Sequence, residues 1–252
     1  YVYNICKAKG KDAVFVYRIH DMPNPEKIEE LGIFLRAIGH ELTTENGMIE
    51  ARDINRLFEK IEGHPEENLI KTATIRSMAK AVYSTKNIGH FGLAFKYYTH
   101  FTSPIRRYPD ITVHRILKNH LNGTTIGDEE FGSYERLAIQ SSEREMEAVR
   151  AERDSIKYKQ VEYMSEHIGE EFDGIITGVT EWGMYVEEKD SKAEGLVHMS
   201  AIKDDYYIFD KKNYRIIGEK TKNKFALGDE VRVKLTSADL ESKTLDFVFV
   251  KK

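Results

Sequence analysis

Several things are scarce in this chain of 252 residues, and each scarcity excludes a class of protein. Cys6 is the single cysteine, which rules out an internal disulfide and a cysteine-built zinc site and suits a reducing cytoplasm. No apolar run approaches the ~20 residues that a membrane-spanning helix needs, so no membrane association is expected. Positive charge is not in excess either. A formal net charge of −4 argues against a uniformly basic nucleic-acid binder, so any such contact must come from local patches. The chain opens on Tyr1, with neither a methionine nor a basic-then-apolar leader, and reads as a fragment of something longer. Its length allows one large domain or two ordinary ones, each with a substantial core.

The pattern along the chain divides at about residue 168. Before it, helical spacing dominates. Tyr1 to Lys9 reads as the end of a helix stopped by Gly10, and Ala13 to His20 as a strand. Helices then follow with apolar faces at Ile28, Leu31, Phe34, Leu35 and Ile38, and at Ile54, Leu57, Phe58 and Ile61. A third is expected from Pro65 through Leu69, Ile75 and Met78 to Val82, with Arg76 and Lys80 on a solvated stripe. From Asp128 to about His167 the chain lacks proline, and a helix that long is expected to break or bend. After Glu171 the runs FDGIITGV, GMYVEE, GLVHMS, EVRVKLTSA and LDFVFV read as five short strands of a small barrel. The fold expected is α+β: a mostly helical region over 1–168 and a five-stranded OB-type barrel over 169–252.

The chemistry concentrates in HFGLAFKYYTHFTSPIRRYPDITVH, from His90 to His114. Arg106 and Arg107 follow Ser103 and Pro104, and Pro104 is suited to open a helix running from Ile105 to Leu121. Free N–H groups at a helix start, together with two guanidiniums, suit phosphate oxygens. Phe91, Phe95, Tyr97, Tyr98 and Phe101 are expected to be mainly core, with base stacking as the alternative. Asp110 and His114, at i and i+4, are expected to pair on one helix face. A nuclease using His90, His100 and His114 as acid and base is disfavoured, because no spacing fixes them about a scissile bond.

The stretch resembles the signature of the ribonuclease II and ribonuclease R family of exoribonucleases. His90, Phe91, Gly92, Leu93, Tyr98, Thr102, Ser103, Pro104, Arg106, Arg107, Tyr108, Asp110 and His114 all fall at its positions. VYRIHD near the start and AERD around Glu152 agree with the same family. The resemblance implies hydrolysis of single-stranded RNA from its 3′ end to nucleoside monophosphates, with Mg²⁺ held by a cluster of aspartates. Only Asp204 and Asp205 are adjacent here, in the barrel segment, so this chain is not expected to bind the metal alone.

The resemblance therefore implies the C-terminal part of such an enzyme, monomeric and inactive without its N-terminal part. Arg106, Arg107 and Glu152 are its implied catalytic residues. The barrel resembles an RNA-binding OB module first named from a ribosomal protein, which implies RNA-facing roles for Trp182, Tyr185 and His198. Lys211, Lys212, Arg215, Lys220, Lys222 and Lys224 read as a basic loop able to follow phosphates, and Lys243 with Asp239 is a weaker correspondence. Two other classes stay open: an RNA-binding module without catalysis, and a protein-interaction scaffold built on the long helix.

Overall fold

The computed structural model describes Val2, Asn4 and residues 14–43, 49–64, 66–124, 126, 128–210, 213 and 215–250. The helix expected at 1–9, apart from those two positions, and the pair Lys211 and Lys212 lie outside the described residues. Two compact units are present: Tyr1–Asn24 with Met78–Arg150, and Pro25–Ser77 with Ala151–Lys252.

In the first unit, β1 (Tyr17–Ile19) pairs antiparallel with β2 (Val82–Ser84). Val82 is therefore strand, not the end of the third helix as its spacing suggests. Helix α4 (Tyr108–Leu121) lays Val113 and Ile116 against Val16, Tyr83 and Ala138, closing a small core. Ser142 reinforces it from within, its Oγ accepting from the Tyr83 N–H at 2.9 Å and donating to the Ala138 carbonyl. Ala138 and Ser142 sit one turn apart on α5, which runs without a break from Asp128 to Ser165 over 38 residues. The expected interruption does not occur, since no proline or late glycine opens its hydrogen-bond ladder.

In the second unit, α1 (Pro25–Ala37), α2 (Ala51–Ile61) and α3 (Glu67–Ser77) bury Ile28, Leu31, Leu35, Leu57, Ile61 and Ile70. The barrel is formed by β3 (Glu171–Thr180), β4 (Gly183–Glu188), β5 (Glu194–His198), β9 (Glu230–Asp239) and β10 (Thr244–Phe249). It closes in the order β10, β5, β4, β3, β9, antiparallel except where β5 meets β10. That is the arrangement of an OB barrel. Strand alternation fills it, with Ile176, Met184, Val186, Val197, Val233, Leu235 and Phe247 inside.

A feature not expected lies between β5 and β9. Here β6 (Tyr207–Asp210), β7 (Arg215–Gly218) and β8 (Lys224–Ala226) form a separate three-stranded sheet. Within the basic stretch, Arg215 and Lys224 stand on strands while Lys220 and Lys222 lie in the turn between them, and Arg215 is paired with Asp210 at 3.0 Å. Asp205 ties its β7–β8 turn by accepting from the N–H groups of Lys220 and Thr221, and those bonds hold its carboxyl down to about 2. The C-terminal half of α5 joins the barrel through Gln160, whose amide donates to the carbonyls of Ser191 and Lys192.

Candidate nucleic-acid interface

Helix α4 begins at Tyr108, with Pro109 in its first turn and Arg107 at the N-cap, so Pro104 does not open it. Pro104 and Ile105 lie inside a turn instead, in which the Ser103 carbonyl accepts from the N–H groups of Arg106 and Arg107. Asp110 explains the shift. Fully buried, it accepts from the Ser103 N–H at 2.7 Å and from the Arg107 guanidinium at 2.9 Å. It does not pair with His114, whose Nε2 donates to the Phe101 carbonyl while its ring stacks on Phe101 at 4.2 Å. The positive end of α4 therefore already faces a carboxylate of its own first turn.

The two arginines are separated by this arrangement. Arg107 is half-buried and tied to Asp110, although its Nε and the Asp110 Oδ2 are both buried without a hydrogen-bond partner. Arg106 is exposed and makes no ion pair among the described residues. Both line a cavity of ≈ 490 Å³ with Tyr83, Tyr108, Arg144 and Glu145. Arg18 belongs to the same unit, pairing with Glu145 and covering the Tyr83 ring at 4.6 Å. Arg18, Tyr83 and Glu145 were not legible as a group, because the Arg18–Glu145 pair joins positions 127 apart. The carboxylates here are each turned to a guanidinium. They are not a hard-oxygen set for Mg²⁺.

Histidines shape the surrounding turns. His20 accepts the Gly92 N–H on Nδ1 and donates from Nε2 to the Ala79 carbonyl, joining three stretches of chain. His100 is hydrogen-bonded to the Tyr83 hydroxyl at 2.7 Å. Burial, with Arg107 and Arg18 nearby, lowers the His100 imidazole below its ordinary value, so it is neutral at pH 7.

The aromatic set is not core. Phe95, Tyr97 and Phe101 are exposed, while Phe91 and Tyr98 are only half-buried. Tyr98 stacks on Phe95 and meets the His90 ring edge-on. Ile105, beside Arg106, is 98% exposed.

On the barrel, Tyr185 and His198 share the outer face. Met184 and Val186 point inward, and Tyr185 stands opposite Leu196, two residues before His198. Trp182 lies 59% exposed in the β3–β4 turn, where its carbonyl accepts from the Met199 N–H. His198 Nε2 lies 3.3 Å from Asp246. Lys243 pairs with Asp154 of α5 at 3.1 Å, and Asp239 accepts from the N–H groups of Glu241 and Ser242 in the turn before it. Glu152 is exposed on α5 in the second unit, with no partner among the described residues.

Comparison with known proteins adds identity to this geometry. An RNB domain matches residues 4–123 and an S1 RNA binding domain matches residues 166–247. Ribonuclease R of Aquifex aeolicus is 42% identical over 238 residues, covering 94% of this chain and 34% of its own length. The apo form of Mycoplasma genitalium RNase R superposes with a TM-score of 0.85 at 26% identity, covering 99% of this chain and 40% of that one. Its complex with ribose methylated single-stranded RNA matches equally well. The chain spans about a third of the length of the curated relatives it matches. With both domains in the expected order and this agreement along nearly its whole length, the chain belongs to the ribonuclease II and ribonuclease R family.

Proposed function

We propose that this chain is the C-terminal part of a 3′-to-5′ exoribonuclease that degrades single-stranded RNA processively to nucleoside monophosphates. The observation that carries the reading is Arg106: exposed, unpaired among the described residues and held at a ≈ 490 Å³ cavity by the Ser103 turn. A guanidinium so placed can grip the scissile phosphate with two parallel hydrogen bonds. It can also offset the charge that builds on the phosphoryl oxygens. Arg107, fixed by Asp110, backs it, and Glu152 is the third catalytic residue of the proposal.

Mg²⁺ would be held by aspartates of the longer protein, where it would supply Lewis-acid chemistry to the scissile phosphate. The N-terminal part of the same protein is thus the first partner, and the working species is a cytoplasmic monomer. The barrel over 169–252 binds the RNA as well, with Tyr185 and His198 on its outer face and Trp182 in the β3–β4 turn available for stacking. Lys211, Lys212 and Lys243 complete the RNA-binding set of the proposal.

The test has two arms. The chain alone binds a labelled single-stranded RNA with affinity that falls steeply as salt rises, and releases no monophosphates on addition of Mg²⁺. In the longer enzyme, Arg106→Lys lowers turnover by at least about tenfold, because an ammonium cannot reproduce the bidentate contact. Near-normal turnover of that variant, or degradation by this chain alone, overturns the reading.

A further inference from the structure

A group of side chains away from the cavity and the barrel face has the chemistry of a metal site. His40, His64 and Glu66 each bring one ligand atom to within 4.8 Å of the others. His40 Nε2 lies 2.9 Å from Glu66 Oε1, and His64 Nδ1 lies 3.7 Å from the same oxygen. The two imidazoles meet edge to face with centroids 6.0 Å apart.

Local structure puts them there. Gly39 ends α1 at φ +84, and the N–H of His40 then reaches back to the Leu35 carbonyl, a helix-closing bond that fixes where His40 leaves the helix. Gly63 ends α2 at φ +79 in the same way, with His64 immediately after it and its N–H on the Ile61 carbonyl. Glu66 stands directly before α3. Two Gly-His helix ends and one helix start thus converge within a single compact unit.

We propose that His40, His64 and Glu66 bind a divalent transition metal of the zinc class. Two imidazoles and one carboxylate are the donors that zinc favours, whereas Mg²⁺ and Ca²⁺ demand oxygen alone. Bonds of 2.0–2.2 Å in a tetrahedral arrangement place neighbouring ligand atoms roughly 3.3 Å apart. The observed 2.9 and 3.7 Å straddle that spacing, so small side-chain rotations suffice.

Accessibility is graded as an entry path requires: the side chains of His40, Glu66 and His64 are 17%, 26% and 51% exposed. The open side by His64 leaves room for water as a fourth ligand. Neighbouring Glu67 is not available, being engaged by Lys71 and the Gly63 N–H. Once bound, the metal ties together the ends of α1 and α2 and the start of α3.

Titration of the 252-residue chain with Co²⁺ as a spectroscopic probe, followed by displacement with Zn²⁺, tests this directly. The expected result is one equivalent bound with a tetrahedral visible band, and an unfolding temperature raised by Zn²⁺. His64→Ala and Glu66→Gln, both at solvent-reachable positions, should weaken binding by more than about tenfold and abolish the thermal shift. His167→Ala, a histidine outside the group, should change neither. His40→Ala adds the third ligand where it folds. Unchanged Zn²⁺ affinity in a combined His64→Ala and Glu66→Gln variant, or no stoichiometric binding by the unaltered chain, overturns the proposal.

Discussion

In the barrel, Tyr185 and His198 stand on strands whose backbone groups are consumed in ladders with β3, β4, β5 and β10, so the face they occupy is set by pleat and register. Around the cavity the backbone makes few such ladders. There the Ser103 turn, the Gly92 turn and the start of α4 are held by single side chains: Asp110, His20 and His114. A ladder distributes its strength over many equivalent bonds, whereas a tie made by one buried group fails when that group is removed. The cavity region is accordingly the more fragile of the two.

The sharpest way to break this contrast is Asp110→Ala. Removing the carboxylate leaves a half-buried guanidinium and the Ser103 N–H without their acceptor, a loss of about 3–5 kcal/mol for a broken buried pair. Trp182, the only tryptophan, reports on the barrel, while hydrogen exchange at the backbone amides of α4 reports on the cavity region. In rising denaturant the variant should lose protection in α4 at lower concentration and leave the tryptophan transition in place. An equal shift of both would show that the two regions unfold as one.

A smaller effect is expected from Trp182→Ala. The indole is exposed and packs in no core, so stability should hold while affinity for single-stranded RNA falls by about 1–3 kcal/mol, or roughly 5- to 150-fold. Titration by fluorescence anisotropy measures it, and unchanged affinity would remove the barrel tip from the interface.

The smallest effect is the pH dependence of the cavity region. Burial lowers both His90 and His100 from 6.5, so the folded state prefers them neutral. The unfolded chain then binds more protons as pH falls through about 6.5, and stability declines toward acid while remaining flat above it. Melting temperatures at pH 7.5 and 5.5 should differ less in His100→Asn than in the unaltered chain. An identical difference in both would assign the decline to other groups.

How much of this was legible in the sequence varies with the range of the interaction involved. The barrel strands could be read, because alternation in EVRVKL and LDFVFV directly reflects one buried face. The meander β6–β8 was missed because its buried hydrophobic positions, Tyr207 and Ile216, are scattered through a charged and tyrosine-rich run. Val82 fits a helical spacing with Ile75 and Met78, yet pairing with Ile19 of β1 overrides it. The sequence places the start of α4 at Pro104 rather than Tyr108, because the true start rests on a carboxylate reaching back seven positions to Ser103. The two arginines were found together but not told apart. Only burial distinguishes the one fastened to Asp110 from the one left open.

Gly178 of β3 carries a last implication. A methyl group there would sit about 3.1 Å from the Tyr185 ring, closer than ordinary van der Waals contact, so the phenol packs over bare main chain. The position of that aromatic plate is thus set by an atom that is missing. A side chain at this point would push the plate outward by a few tenths of an ångström.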